Sequence, residues 1–330
     1  MKKIIVKAAA LSLLLLSFSY ESCAEEIKVI PAGRAVGIQI YTDGLLVIGT
    51  SEINGCNVAK EADIRVNDRI TAVNGISDIT SEEFAKTVNE HPDGVSLEIT
   101  RDNRSFTVNA VPALSEDSVY RLGLWVRDSC AGVGTVTYYD EETNSFAALG
   151  HAINDVDTGD ILSLKSGALV ECDIVSVDKS KRGAPGEINA SFGGEKLGEI
   201  TINSPSGLFG KSAAGAFSDM GSALPVAARE QVNAGDAYIL SDIFGNSTEK
   251  YSIKINKITN DLNKSLVIEV TDDRLLEGTG GIVQGMSGSP IIQNGYLVGA
   301  VTHVFVNNPS KGYGTLAENM IDTQRKKTAL

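Results

Sequence analysis

The stretch Gly281-Ile282-Val283-Gln284-Gly285-Met286-Ser287-Gly288-Ser289-Pro290-Ile291-Ile292-Gln293-Asn294-Gly295 decides how the rest of the chain is interpreted. Ser287 has a glycine two residues before it and another directly after it. Glycines beside a serine permit a tight, sterically open backbone, so the hydroxyl can face a substrate. The backbone N–H groups of Gly285 and Ser287 can then converge on one point as an oxyanion hole. Taken alone, the stretch is equally compatible with a Gly/Ser-rich loop between two strands.

Length and composition favour a two-domain protein that is rich in β-strands. The 330 residues are enough for two full hydrophobic cores. The 33 glycines, together with only 6% aromatic residues, suit short strands and tight turns better than a helical bundle. The net charge is -13, with no basic patch along the chain, which argues against a nucleic-acid-binding protein.

Residues 1–24 have the pattern of a targeting segment. Three lysines precede an apolar run from Ala8 to Leu16, and small residues at 22–24 offer a cleavage site. The run is short for a spanning helix, but Phe18 and Tyr20 extend it, so an uncleaved anchor stays open. We therefore expect export across the cytoplasmic membrane, with or without retention at its surface.

Three cysteines remain beyond this segment: Cys56, Cys130 and Cys172. Their spacing matches no zinc site. Cys130 and Cys172 can pair in an oxidising compartment, or all three can be small buried residues. The sequence shows no motif for a metal or another cofactor, and we expect none.

Residues 31–113 have the rhythm of a small α+β domain. Short apolar strands end in turn signals such as Asn74-Gly75, and residues 81–90 form an amphipathic helix in which Phe84 and Val88 share a face. A hairpin at 95–108 closes the block. A polar linker at 114–121 follows.

The block 31–113 resembles a PDZ domain. Three stretches carry the resemblance: Val36-Gly37-Ile38-Gln39-Ile40, Asp68-Arg69-Ile70-Thr71-Ala72-Val73-Asn74-Gly75, and the helix after them. The resemblance implies that Val36, Gly37, Ile38, Gln39 and Ile40 supply the carboxylate-binding loop and its strand. Such a domain binds a peptide terminus by adding it to a sheet edge. A small α+β domain without a ligand is the alternative.

From residue 122 to 330 the pattern changes to short strands without intervening helices, which predicts a β-barrel or a β-sandwich. A strand at 145–150 delivers His151. A serine hydroxyl needs a base within hydrogen-bond reach and a third group that holds the base. Ser287 and His151 supply the first two members.

The third member is less well defined by the residues themselves. Asp272 ends a strand fifteen residues before Ser287, but spacing alone does not choose it over Asp155, Asp157 or Asp160. Ser289 as nucleophile and His303 as base are lesser alternatives.

The segment from Gly285 to Pro290 resembles the Gly-x-Ser-Gly-x-Pro motif of chymotrypsin-like serine proteases. With a PDZ-like block before it, and with the stretches 148–152, 280–295 and 298–307, the chain resembles the stage IV sporulation protein B peptidase family. The resemblance implies a mainly β fold: a PDZ domain followed by a chymotrypsin-like double β-barrel. It also implies a triad of Ser287 as nucleophile, His151 as general base and Asp272 as the group that orients the histidine, in the chymotrypsin order.

The resemblance further implies a signalling protease of endospore formers. Such an enzyme is secreted into the space between the two membranes of the developing spore and processes itself. It also cleaves a regulatory subunit of a membrane-embedded metalloprotease, which activates the late mother-cell sigma factor. Two rival functions are a PDZ-based scaffold with a silent protease domain and a broad extracytoplasmic quality-control protease. The latter usually places its PDZ domain after the protease domain.

Overall fold

The computed structural model describes residues 26–328 except residues 219 and 246, so the predicted targeting segment lies outside the described residues. Antiparallel β-structure dominates, in two closed barrels and one smaller α+β unit. In chain order the strands are β1 (Lys28–Thr50), β2 (Arg69–Val73), β3 (Ile76–Ser77), β4 (Val95–Arg101), β5 (Arg104–Ala110), β6 (Ala113–Leu114), β7 (Tyr120–Arg121), β8 (Leu124–Asp140), β9 (Ser145–Ala148), β10 (Leu164–Val177), β11 (Ile188–Ser204), β12 (Gly207–Ser212), β13 (Leu224–Pro225), β14 (Gly235–Ser241), β15 (Glu249–Ile258), β16 (Leu266–Val270), β17 (Pro290–Gln293), β18 (Tyr296–Val304) and β19 (Lys311–Leu316). The helices are α1 (Val58–Glu61), α2 (Ser81–Glu90), α3 (Asp273–Thr279) and α4 (Ala317–Thr328), with one 3₁₀ turn at Arg229–Gln231.

The first barrel closes through six strands in the order β1, β8, β9, β12, β11 and β10, because β10 also pairs with β1. Its core is apolar and includes Val36, Ile40, Phe146 and Leu169. The second barrel closes in the order β14, β15, β16, β19, β18 and β17. In β15 buried apolar residues alternate with exposed polar ones, the pattern of a strand with one face toward a core. The mainly β, double-barrel architecture confirms the predicted fold class.

The α+β unit, residues 43–127, is inserted between the barrel portions of β1 and β8 rather than preceding the barrels. The second half of β1 pairs with β2 and with the start of β8, and α2 packs beside this small sheet over its own core, which includes Ile70, Phe84 and Leu97. Thr80 caps α2 and exchanges hydrogen bonds with Glu83 in a capping box, which fixes where the helix begins. We call these residues the PDZ-like unit.

This arrangement corrects the predicted domain boundary at residue 31. Residues 28–42 are a barrel strand, since Ile38 pairs with Gly132 of β8 on one side and with Leu169 of β10 on the other. The predicted linker at 114–121 is part of the small β6–β7 hairpin of the PDZ-like unit.

The two barrels share an apolar interface. Val29, Tyr138 and Phe209 of the first barrel pack with Leu297 and Met320 of the second barrel and α4. Tyr138 is fully buried, and its hydroxyl donates to Gln324 Oε1 at 2.7 Å, which satisfies a polar group that burial would otherwise penalise. The interface fixes the barrels relative to one another and so fixes the cleft between them. Among the described residues no helix is long and apolar enough to cross a bilayer.

Candidate active site

A cleft of about 540 Å³ lies between the two barrels and contains Ser287, His151 and His303. His151 comes from the loop after β9 in the first barrel, and the other two come from the loop before β17 and from β18 in the second barrel. The structure thus brings together the predicted nucleophile and base from positions 136 residues apart in the chain.

Glycines shape the nucleophile loop where other residues do not fit. Gly285 has a φ of 97° and Gly288 a φ of 101°, backbone conformations that residues other than glycine rarely adopt. A Cβ atom at Gly288 would lie 2.0 Å from the Thr135 carbonyl oxygen, and one at Gly285 would lie 2.8 Å from Ile188. The loop therefore rests directly on the first barrel, which holds Ser287 at the mouth of the cleft.

Thr135 of β8 fastens this loop. Its N–H donates to the Ser287 carbonyl at 2.9 Å, and its hydroxyl donates to the Gly285 carbonyl at 2.8 Å. Thr135 is buried, so both bonds form away from solvent. Sequence reasoning missed Thr135, because a threonine within a strand carries no local signal of a contact 150 residues away.

The predicted oxyanion hole is compatible with this geometry. The carbonyls of Gly285 and Ser287 point toward Thr135, whereas neither N–H donates to any group in the described part of the chain. Unpaired donors that flank a nucleophile are what a developing oxyanion requires. The Ser287 hydroxyl, half-buried, donates to the Thr302 carbonyl at 2.6 Å in the resting structure.

His151 is positioned by the two residues before it. Leu149 and Gly150 both have positive φ, of 68° and 70°, and turn the chain from β9 into the cleft. His151 Nδ1 lies 2.7 Å from the Ala152 carbonyl oxygen, so Nδ1 carries the proton and Nε2 is the atom left as base. Burial lowers the pKa of His151 from its ordinary value of 6.5, an effect that the Ala152 hydrogen bond partly offsets.

His303 stacks beside His151, with ring centroids 4.7 Å apart and planes tilted by 38°. Partial desolvation in the cleft, followed by repulsion from His151, lowers the pKa of His303 to about 4. The second imidazole is therefore neutral at neutral pH. It is a neighbour of the base, in a position that the sequence alone did not assign to it.

The role predicted for Asp272 needs correction, because its carboxylate lies away from His151 and the cleft. Asp272 caps α3: its side chain accepts from the Arg274 N–H at 3.0 Å and from the Ser252 N–H at 3.2 Å, and it pairs with the Arg274 guanidinium. The Arg274 hydrogen bond holds the pKa of Asp272 below its usual value. In the described residues the polar group that meets His151 Nδ1 is the Ala152 carbonyl.

The alternative carboxylates do not meet His151 either. Asp155 is fully buried and pairs with Arg127 at 2.6 Å, while Asp157 pairs with the same guanidinium at 2.7 Å. Asp155 also accepts from the N–H groups of Asp157 and Thr158, which is the bonding pattern of a turn. These contacts fold the loop that follows Ala152. Asp160, the remaining alternative, has its N–H bonded to Thr158 Oγ1 in the same loop. The alternative nucleophile Ser289 is fully buried and cannot reach a substrate.

The structure moves the predicted peptide groove of the PDZ-like unit. Val36, Gly37, Ile38, Gln39 and Ile40 were predicted to line it, but they form a barrel strand whose two edges are both paired, so no edge is left for a peptide. A different strand offers one: Leu124–Arg127 of β8 pairs with β1 on one edge only among the described residues.

The groove lies between that free edge and α2. Phe84 and Val88 of α2 line a cavity of about 490 Å³ together with Leu124 and Val126 of β8, and residues 120–123 also line it. This is the geometry that strand addition of an extended peptide requires. The sequence signal for this groove was the glycine-containing apolar stretch Arg121-Leu122-Gly123-Leu124. It was overlooked because residues 114–121 were predicted to be a linker.

No group of three or more His, Cys, Asp and Glu side chains among the described residues is arranged to hold a metal ion. Cys56 is exposed, Cys130 and Cys172 are half-buried, and all three are free thiols.

Residues 118–321 match the family model of the SpoIVB peptidase S55. No curated protein matches the chain significantly.

Three solved structures show limited similarity. The PDZ domain of an SdrC-like protein from Listeria monocytogenes is 17% identical, covers 26% of this chain and 87% of its own, and has a TM-score of 0.22. The active form of the Rv3671c protease from M. tuberculosis is 15% identical over 61% of this chain and 74% of its own, with a TM-score of 0.31. The HtrA-type protease AlgW with a tripeptide is 11% identical over 59% of this chain and 56% of its own, with a TM-score of 0.35.

A serine and a histidine that line the same cleft between two β-barrels, with unpaired N–H donors in the serine loop, are the arrangement of a serine endopeptidase. The family match covers well over half of the chain and includes every strand from β8 to β19. The chain belongs to the SpoIVB peptidase S55 family. The first half of β1 lies outside the matched segment, yet it supplies the sixth strand of the first barrel.

Proposed function

We propose that this serine endopeptidase acts in sporulation signalling, where it cleaves a regulatory subunit of a membrane metalloprotease complex and thereby triggers activation of the late mother-cell sigma factor. The observation that carries the proposal is the presence of both Ser287 and His151 in the lining of one cleft, in a chain that belongs to the SpoIVB peptidase S55 family. Ser287 attacks the peptide carbonyl while His151 Nε2 takes its proton. The N–H groups of Gly285 and Ser287 hold the oxyanion, and the C–N bond breaks as His151 gives the proton to the leaving amine. Water, deprotonated by His151, then hydrolyses the acyl-enzyme and regenerates the Ser287 hydroxyl.

We further propose that the groove between α2 and Leu124–Arg127 takes a peptide terminus of the substrate or of the chain itself. Self-processing fits a protease that carries a peptide-binding groove on the same chain. Export to the intermembrane space of the developing spore, by cleavage or retention of the N-terminal segment, is part of this proposal.

The test is a co-expression experiment in a host without spores. The full chain, as wild type or Ser287→Ala, is produced with a membrane metalloprotease complex of an endospore former, and the fragments are read by mass spectrometry. The proposal predicts cuts in the regulatory subunit and in the chain itself with the wild type alone. Wild-type cleavage of many unrelated exported proteins, with the regulatory subunit left intact, would contradict the signalling role in favour of quality control.

A further inference from the structure

The residues that line the cleft favour some substrate side chains over others, independently of the catalytic residues. We propose that the site selects substrates in which the residue whose carbonyl is attacked has an uncharged aliphatic side chain. The proposal rests on the peptidase function and defines the substrate class of the same site.

The lining of the cleft combines apolar side chains with uncharged polar ones. Ile282, Val283, Val304, Val306 and Pro185 supply the apolar surface, and Asn154, Gln284 and Thr302 are polar. The ionisable side chains that line the cleft are His151, His303 and Cys130. No Asp, Glu, Lys or Arg lines it in the described part of the chain, although these four types make up 22% of the sequence. A charged substrate side chain would find no oppositely charged Asp, Glu, Lys or Arg in this lining.

Among the described residues, the end of β18 leaves one strand edge unpaired, and this edge determines where a substrate peptide can bind. β17 pairs with β18 only as far as Ala300, and the nucleophile loop bonds to Val301. The Phe305 N–H donates to the Lys311 carbonyl of β19. Because the backbone polar groups of successive strand residues face alternate sides, the N–H and C=O of Val304 face away from β19, toward the open edge.

A peptide strand added at that open edge passes Ser287 and the Thr302 carbonyl. With its scissile carbonyl directed to the Gly285 and Ser287 N–H groups, the side chain of that residue enters between Val283 and Val304–Val306. Burying a charge there without a partner is strongly unfavourable, whereas each aliphatic methylene adds favourable contact. We expect discrimination of at least about 10-fold against Asp, Glu and Lys relative to Leu, since even a single methylene is worth roughly 10-fold or more in such pockets.

The first experiment uses peptides blocked at both ends, so that no free carboxylate is offered to the PDZ-like groove, and varied only at the central residue. Wild-type cleavage is measured for Leu, Val, Glu and Lys at that residue, and binding of uncleaved peptides to Ser287→Ala is measured by calorimetry. The expected result is cleavage after Leu or Val and tighter binding of those peptides. Equal binding of Leu and Glu peptides would overturn the selectivity even if no peptide is cleaved. Absence of Ser287-dependent cleavage would instead count against the peptidase function.

A second experiment reverses the preference. Val306 lines the cleft and is 48% exposed. Its backbone carbonyl accepts a hydrogen bond from the Gly183 N–H, so the side chain can be replaced without loss of that bond. Val306→Lys should raise the ratio of cleavage after Glu to cleavage after Leu by at least about 10-fold, because it supplies the missing partner charge. Val306→Thr, of similar shape and without charge, should leave the ratio unchanged. An unchanged ratio in Val306→Lys would overturn the placement of this pocket.

Discussion

The Thr135 hydroxyl donates a hydrogen bond of 2.8 Å to the Gly285 carbonyl, across the boundary between the two barrels. The same residue binds the Ser287 carbonyl through its N–H. Thr135 in the first barrel therefore anchors the nucleophile loop at two carbonyls. The peptide groups that carry the Gly285 and Ser287 N–H donors are held by other bonds: the Gln284 carbonyl accepts from the Ile188 N–H at 2.9 Å, and the Met286 carbonyl accepts from the Ser289 N–H at 3.0 Å.

Thr135→Val removes this hydroxyl at nearly constant shape. The Gly285 carbonyl then loses a buried partner, which costs about 1–3 kcal/mol in the free energy of unfolding. We expect a fall in kcat larger than any change in KM, because the loop that carries Ser287 is then held less firmly in the geometry for attack. Denaturation and steady-state kinetics measure the two effects. Thr135→Ser keeps the hydroxyl and should retain most activity; equal losses in both variants would mean that the methyl packing matters and the hydrogen bond does not.

Gly288→Ala should abolish activity and lower stability severely. The added methyl would meet the Thr135 carbonyl at 2.0 Å and would stand on a backbone with a φ of 101°. Gly295→Ala is the matched control, since Gly295 also has a positive φ but open space around its Cβ position, and we expect a cost of about 1 kcal/mol. Thermal melting compares the two. A Gly288→Ala variant with wild-type melting temperature would contradict the docking of this loop on β8.

Asp272→Ala should lower stability and spare catalysis. The carboxylate caps α3 and pairs with Arg274, so its loss costs about 0.5–2 kcal/mol in the free energy of unfolding. Well below the melting temperature, we expect kcat within a few-fold of wild type. Asp272→Asn retains a capping side chain and should lose less stability. A folded Asp272→Asn enzyme with kcat reduced by about 10⁴-fold would instead show that the carboxylate orients the histidine during turnover.

The lowered pKa values of the two histidines predict how activity and stability change at acidic pH. Because the pKa of His151 lies below 6.5, the base stays neutral and kcat/KM should persist below the pH at which an ordinary histidine is protonated. His303 is neutral in the folded protein down to about pH 4, whereas the unfolded chain binds its proton near pH 6.5. Its contribution to stability is therefore fully present above pH 6.5 and is lost as the pH falls toward 4.

Melting temperatures of wild type and His303→Gln, measured between pH 4 and pH 7, test this contribution. The variant should lose less stability on acidification, because position 303 then carries no imidazole whose protonation the folded protein disfavours. His91→Gln, at the exposed end of α2, is the control and should follow the wild type. Parallel stability curves for His303→Gln and wild type would contradict the lowered pKa of His303.

The sequence was sufficient to predict what depends on local patterns. The Gly-x-Ser-Gly motif around Ser287, the strand end at His151 and the amphipathic helix at 81–90 all encode their structure within a few residues. The closure of the first barrel by residues 28–42 was not predictable, because a strand of alternating apolar residues does not specify its partners. The same ambiguity placed the peptide groove at Val36–Ile40 instead of Leu124–Arg127.

Asp272 shows a second limit of sequence reasoning. A fixed spacing to Ser287 locates the residue along the chain, but α3 begins directly after Asp272, and its unpaired N–H groups attract the carboxylate. Contacts such as Thr135 to Gly285 and Arg127 to Asp155 join distant segments, and they become visible only when the barrels are assembled.

The central claim is that Ser287 is the nucleophile of this cleft. The most direct measurement is covalent labelling of the folded chain with a fluorophosphonate probe, followed by mass spectrometry of the modified peptide, with His151→Ala and Ser287→Ala alongside. We predict a single label on Ser287 in the wild type, much slower labelling in His151→Ala and none in Ser287→Ala. Stoichiometric labelling at another serine, or equal labelling of all three proteins, would contradict the account.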